Sequence, residues 1–255
     1  MEIIIVESFD EAGDVAAGIV ARAAETDPEL TLGLATGSSP LSAYRALSAR
    51  VDAGLDLSRA SAFALDEYVG IPADHPASYH EVIRLEAVLP LRLDPARVRV
   101  LDGRAADLAV ECEDYEQAIR DAGGVTVQLL GIGTDGHIGF NEPTSSLASR
   151  TRIKTLTTRT RLDNARFFDS PDEVPRHCLT QGIGTILDAR KLVLVASGDH
   201  KADAVAAAVE GPLSAFVPAS ALQLHADATV IVDEAAASRL RLIDYYRQIA
   251  AAKPA

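Results

Sequence analysis

The chain has 255 residues, 48% of them hydrophobic and 24% charged, enough to bury the core of one large α/β domain. That apolar content excludes disorder, and only 17 Gly and 12 Pro exclude collagen-like or low-complexity character. Thirty-seven acids against 24 bases give a formal charge of −13, which repels nucleic acid and anionic membrane at long range, so neither is expected as a partner.

The opening run, Ile3-Ile4-Ile5-Val6, reads as a strand, with no basic flank and too few apolar residues for a secretory signal. Ser8, with Glu11 three residues on, predicts a capping box and a helix to about residue 24. A second strand is expected over 30–35, then a helix with Ser39 as N-cap and Pro40 in first position, where a missing N–H costs nothing. A weaker strand over 62–65 precedes a long loop holding Pro72 and Pro76. Further strands are expected over 98–101, 125–130, 192–196 and 229–232, and helices over 105–121, 178–187, 201–210 and 234–250. This alternation predicts an α/β fold: an open, mostly parallel sheet with helices on both faces, Rossmann-like, in a single domain over residues 1–255. No apolar run reaches the roughly 18 residues that span a bilayer. Cys112 and Cys178 are too few for a disulfide framework or a Cys-rich zinc site, and a cytoplasmic location with reduced thiols is expected.

In such sheets ligands bind beyond the carboxyl ends of the strands, where three loops stand out. Thr36-Gly37-Ser38-Ser39 joins a strand to a helix start, a place where backbone N–H groups and hydroxyls can take an anion; read alone, it is equally a capped turn. Asp66-Glu67 follows an apolar strand, where partial desolvation would raise a carboxyl toward neutral pH and make it a base; either acid could equally cap the loop or pair at the surface. The third loop, Gly131 through Glu142, contains G-x-G-x-x-G at Gly131, Gly133 and Gly136. A dinucleotide site would need a continuing helix and an acid about 20 residues later. Pro143 interrupts the one, and Arg152-Ile153-Lys154-Thr155-Leu156 replaces the other. Asp135, His137 and Glu142 offer one imidazole and no cysteine, which argues against a metal. A histidine beside carboxylates suits proton transfer, because the acid fixes the tautomer and leaves the other ring nitrogen to react. The bases Arg150, Arg152, Lys154, Arg159, Arg161 and Arg166, with Asp163 the one acid among them, form either a solvated face or a site for a small anion.

These segments together resemble the glucosamine-6-phosphate deaminase family. The motifs are Leu34-Ala35-Thr36-Gly37-Ser38-Ser39-Pro40, Leu65-Asp66-Glu67-Tyr68-Val69-Gly70, Gly133-Thr134-Asp135-Gly136-His137-Ile138-Gly139-Phe140-Asn141-Glu142-Pro143, the stretch from Ser149 to Thr157, Asn164-Ala165-Arg166-Phe167-Phe168-Asp169 and Ala207-Ala208-Val209-Glu210-Gly211. The resemblance implies opening of the pyranose ring of glucosamine 6-phosphate, isomerisation to the ketose level and loss of ammonia to leave fructose 6-phosphate. It implies His137 as ring-opening acid/base held by Asp135 and Glu142, and Asp66 as the base that moves the C2 proton to C1. It places the phosphate at Thr36, Gly37, Ser38 and Ser39 with Arg166 and Lys201, and it implies no metal or organic cofactor. Some members are hexamers activated by N-acetylglucosamine 6-phosphate, and Ser145, Arg152 and Lys154 resemble residues of that effector site, so a homo-oligomer is expected. Ala64 stands where the family has Asn. Residues 80–100 depart from the family pattern and are expected to form part of a loop cover over the site. Tyr245-Tyr246-Arg247 lies near an aromatic tied to regulation. The alternatives are a 6-phosphogluconolactonase, which needs no C2 base, and the sugar-phosphate-sensing domain of a regulator, which would carry a helix-turn-helix.

Overall fold

Val193 and Val195 turn to one side of the central sheet, Leu192 and Leu194 to the other, and the same alternation divides the core in two. Leu32, Leu34, Val127, Leu129 and Ile231 share the first side with helix residues Ala16, Val20, Tyr44 and Leu47. Phe63, Leu130, Val230 and Val232 share the second with Cys112, Tyr115, Ile119, Val205 and Ala208. Helices therefore cover both faces, as a parallel sheet requires. The structure, a computed structural model, describes residues 1–252 apart from Asp169, without the side chains of Arg159 and Asp163. Asp169 of the 164–169 motif and the side chains of Arg159 and Asp163 of the basic run thus lie outside what is described.

In chain order the elements are β1 (Glu2–Val6), α1 (Phe9–Thr26), β2 (Thr31–Leu34), α2 (Leu41–Asp52), β3 (Ser61–Ala64), β4 (Asp66–Tyr68), α3 (Tyr79–Ile83), β5 (Val98–Arg99), α4 (Leu108–Asp121), β6 (Val127–Leu130), β7 (Arg152–Thr155), α5 (Thr158–Asn164), β8 (His177–Thr180), α6 (Ile183–Leu187), β9 (Lys191–Ala196), α7 (Ala202–Glu210), β10 (Ala228–Asp233), α8 (Glu234–Ala237) and α9 (Ile243–Ala251). Seven strands form a parallel sheet in the order β1-β10-β9-β6-β2-β3-β5. The chain steps outward from β2 through β3 to β5, then returns to β6 on the other side of β2. The reversal falls between β2 and β6, so the loops that follow these two strands leave the sheet side by side.

A second sheet, β4-β8-β7, is antiparallel. The two sheets meet at Leu65, whose N–H bonds Leu34 O in the main sheet (2.9 Å) while its carbonyl accepts the N–H of Gln181 (2.7 Å). Asp66 is the first residue beyond that junction. The second sheet overturns the expected helix over 178–187: residues 177–180 pair with β4 and β7, and only 183–187 are helical. Long-range pairing has overridden the local apolar spacing.

Three other expectations shift. The helix over 234–250 is broken between α8 and α9, because the Glu210 carboxylate accepts the N–H groups of Arg241 and Leu242 at 2.9–3.0 Å and bonds the Arg241 guanidinium. Residues 80–100 do not form a loop cover: Ile83, Ala87, Val88, Leu91 and Leu93 are buried in the core with Tyr44 and Leu47. Pro40 occupies the N-cap position of α2 rather than the first helical one, and it brings no side-chain cap. Ser8 caps α1 as expected, accepting the Glu11 N–H. Among the described residues no helix is long and apolar enough to cross a membrane.

Candidate active site

The loop after β2 is fixed from below. Tyr44, buried on α2, accepts the Ala35 N–H at 3.1 Å and donates to the Ala35 carbonyl at 2.8 Å. Gly37 then takes a φ of 91°, a left-handed conformation that a side chain disfavours. Beyond it the chain enters α2, whose first-turn N–H groups and helix dipole point back at Thr36, Ser38 and Ser39, a geometry that attracts an anion. A Cβ built on Gly131 would stand 3.1 Å from Ser39 Cβ, so the loop after β6 lies directly beside this one.

That second loop folds back around a histidine. Gly133 N–H donates to His137 O at 2.9 Å, and a Cβ on Gly133 would stand 2.2 Å from the imidazole. The G-x-G-x-x-G spacing thus serves a ring lying on bare backbone. His137 Nδ1 is 2.6 Å from Asp135 Oδ1, which also accepts the His137 N–H at 3.1 Å. Burial alone would raise the Asp135 carboxyl, but the His137 imidazole and N–H override it and hold the carboxyl at about 2. With Nδ1 engaged, Nε2 is the nitrogen presented for proton transfer on a side chain 26% exposed. Lys201, at the start of α7, reaches the same loop, its Nζ donating to Ile132 O at 2.7 Å.

Asp66 meets the far end of this loop. The Phe140 N–H, which donates to the Thr180 hydroxyl at 3.2 Å, also favours the ionised Asp66 carboxyl, whose Oδ2 lies 3.4 Å from where a Gly139 Cβ would be. Only 5% of Asp66 is exposed. Burial first, then the neighbouring Glu67 charge, push its pKa up to about 8, against the pull of that N–H. Asp66 thus meets the same loop as His137, at the residues two and three positions beyond it.

Glu142 does not hold His137. It is buried, and its Oε1 accepts from the Thr157 N–H (3.3 Å), the Thr157 hydroxyl (3.2 Å) and the Thr160 hydroxyl; among the described residues no hydrogen bond joins it to the imidazole. Its contacts tie the loop to the start of α5. Arg166 lies on a 3-10 turn after α5, exposed, with its guanidinium 4.7 Å over the Phe167 ring. The next residue, Phe168, packs on Tyr68 (5.6 Å) and His75 (5.8 Å).

Much of the basic run is structural rather than open to an anion. Arg150 pairs with Glu116 and Asp188, and Arg161 donates to the carbonyls of Val174 and Pro171. Arg152 and Lys154 share the half-buried face of β7. Ser145 is 3% exposed, and its Oγ is without a partner among the described residues. Cys112 and Cys178 are buried, unpaired thiols. Among the described residues no group of three His, Cys, Asp or Glu side chains could hold a metal ion.

Sequence reasoning missed Tyr79 and the role of Glu67. Tyr79, at the start of α3, bonds the Thr36 side chain and stacks on Phe140 at 5.9 Å. Ser78, three residues before Glu81, is the helix-start signal that could have placed it.

The sheet and its two adjacent switch-point loops, one leading into a helix start and the other carrying a His–Asp pair, define a doubly wound α/β protein. A family model described as glucosamine-6-phosphate isomerases/6-phosphogluconolactonase matches residues 7–231, and the chain belongs to this family. It is 60% identical to a glucosamine-6-phosphate deaminase of Rhodococcus opacus over 255 residues, covering 100% of this chain and 98% of that one. It is 57% identical to the deaminase of Streptomyces coelicolor over 256 residues, with the same coverage. A solved structure described as a monomeric glucosamine-6-phosphate deaminase superposes with a TM-score of 0.91 at 42% identity, covering 94% of this chain and 100% of that chain. The 6-phosphogluconolactonase of Thermotoga maritima shares the fold, with a TM-score of 0.72 at 17% identity over 91% of this chain and 98% of that one.

Proposed function

We propose that this protein is a glucosamine-6-phosphate deaminase, converting glucosamine 6-phosphate and water to fructose 6-phosphate and ammonia. The observation that carries the reading is the shared loop: a buried carboxyl with raised proton affinity, Asp66, and an imidazole oriented by Asp135 both contact the 133–140 segment.

In this reading the sugar phosphate binds with its phosphate against Thr36, Gly37, Ser38 and Ser39. Lys201, beside the adjacent loop, and Arg166 supply positive charge that outweighs the acidic surface, which is screened over about 8 Å at physiological salt. His137 Nε2 moves the proton between the ring oxygen and the C1 hydroxyl, opening the ring to the aldehyde, while Asp135 stabilises the imidazolium. Asp66 takes the C2 proton while the C1 carbonyl oxygen gains one lost by the substrate's ammonium group, giving an enolamine, and Asp66 returns its proton to C1. The C2 iminium that results adds water and expels ammonia, leaving the ketose. An acid that titrates near 8 is matched to this task, because it both accepts and returns a proton near neutral pH. Glu142 supports the site through α5 rather than through the imidazole.

The resemblance gives a homo-oligomer as the expectation and likens Ser145, Arg152 and Lys154 to an effector site. A relative at 42% identity is described as monomeric, so family membership does not carry a hexamer. The test is ammonia release from glucosamine 6-phosphate by the purified protein, with and without N-acetylglucosamine 6-phosphate, alongside its sedimentation. Release of ammonia is expected; its absence, with hydrolysis of 6-phosphogluconolactone instead, would overturn the reading.

A further inference from the structure

Glu67 follows Asp66 in β4, and strand alternation turns its side chain to the opposite face. It is 1% exposed. Its Oε1 accepts the N–H groups of Tyr68 (2.7 Å) and Tyr79 (3.1 Å), and its Oε2 accepts the Ser78 hydroxyl (2.7 Å) and the His80 N–H (3.0 Å). Three of these four groups are backbone N–H donors, the complement of a carboxylate. One side chain therefore fixes the start of α3, and with it Tyr79. The Tyr79 hydroxyl bonds the Thr36 side chain and stands 3.4 Å from the Tyr68 hydroxyl, while its ring stacks on Phe140, the residue whose N–H favours the ionised Asp66 carboxyl.

We propose that Glu67 is a positioning residue for the reaction: from behind β4 it holds Tyr79 between Thr36 and Phe140, with its carboxyl at the back of Asp66. The proposal rests on the reading of Asp66 as the base. The titratable groups that act on Asp66 or feel its charge are Glu67 and Tyr68 on its own strand, Tyr79 on α3, Tyr115 on α4 and Cys178 on β8. Burial raises the three tyrosines and the cysteine well above their ordinary values, so they stay neutral while Asp66 titrates.

Glu67→Gln keeps the shape and removes the charge. The acid limb of kcat/KM is expected to move about half a pH unit lower, because the charge that opposes ionisation of Asp66 is gone, and KM is expected to rise several-fold. Tyr79→Phe, which removes the hydroxyl contacts to Thr36 and Tyr68, should raise KM and leave the limb in place. A Glu67→Gln profile that overlays the wild type overturns the proposal. If that variant fails to fold by circular dichroism, Ser78→Ala, which loosens the grip on α3 but keeps the charge, must raise KM with the limb unmoved; unchanged KM overturns it. Failure of the underlying reading is distinct, since it would appear as wild-type turnover surviving Asp66→Asn.

Discussion

His137 and Asp135 are joined twice, by the imidazole Nδ1 and by the backbone N–H, both to the one oxygen Oδ1 at 2.6 Å and 3.1 Å. The carboxylate thus fixes the ring's tautomer and the turn that carries it. Asp135→Asn is expected to lower kcat by about 10²- to 10⁴-fold, since an amide can set the wrong tautomer and cannot stabilise the imidazolium. His137→Gln should slow ring opening selectively. Comparing turnover on cyclic and open-chain substrate analogues checks this, and equal losses on both would remove the imidazole from that step.

The raised pKa of Asp66 carries a signed consequence for stability. Its value is about 8 in the folded protein against an ordinary 3.8, so between those two pH values the native state binds the extra proton and stability falls as pH rises. Asp66→Asn has no such loss. It should abolish most turnover yet unfold at higher denaturant than wild type at pH 8.5, with the gap reduced to about a third at pH 5. Urea titrations at the two pH values measure this, and a pH-independent difference would contradict the burial argument.

Asp66 also sets the rate profile. Because the base must be ionised in the free enzyme, kcat/KM should rise with pH toward about 8. Stopped assays across pH 6 to 9 would show a limb with that midpoint, and a flat profile would assign the C2 proton to another group.

Arg166 is exposed, with its guanidinium over the Phe167 ring, so its removal should leave the fold intact. Arg166→Ala is expected to raise KM about tenfold or more with little change in melting temperature, the scale of one charged hydrogen bond to phosphate. An unchanged KM would move the phosphate clamp to Lys201 and the α2 start alone.

Glu142 holds the α5 start through Thr157 and Thr160. Thr160→Val leaves a buried carboxylate short of a donor and should cost about 1–3 kcal/mol, with faster amide exchange over 157–164. Exchange unchanged in that segment would show that the threonine contact is not what secures it.

The parts of this molecule that local chemistry governs were legible in the chain itself. Alternating Leu, Val and Ile runs gave the strands of the parallel sheet, Ser8 with Glu11 the start of α1, and the His137–Asp135 pair a histidine oriented by a neighbour two residues away. Each depends on atoms a few residues apart. What needed the tertiary structure depends on segments far apart in sequence. Residues 177–180 read as helix until β4 and β7 supplied hydrogen-bonding partners, and Glu142 looked like a partner of His137 until Thr157 and Thr160 claimed its carboxylate. The proton affinity of Asp66 is the clearest case. Its sequence neighbours identify a carboxyl after an apolar strand, but only the closing of Phe140 and the second sheet over it removes water. The cost of leaving a charge there is set by that enclosure, which no local pattern of residues encodes.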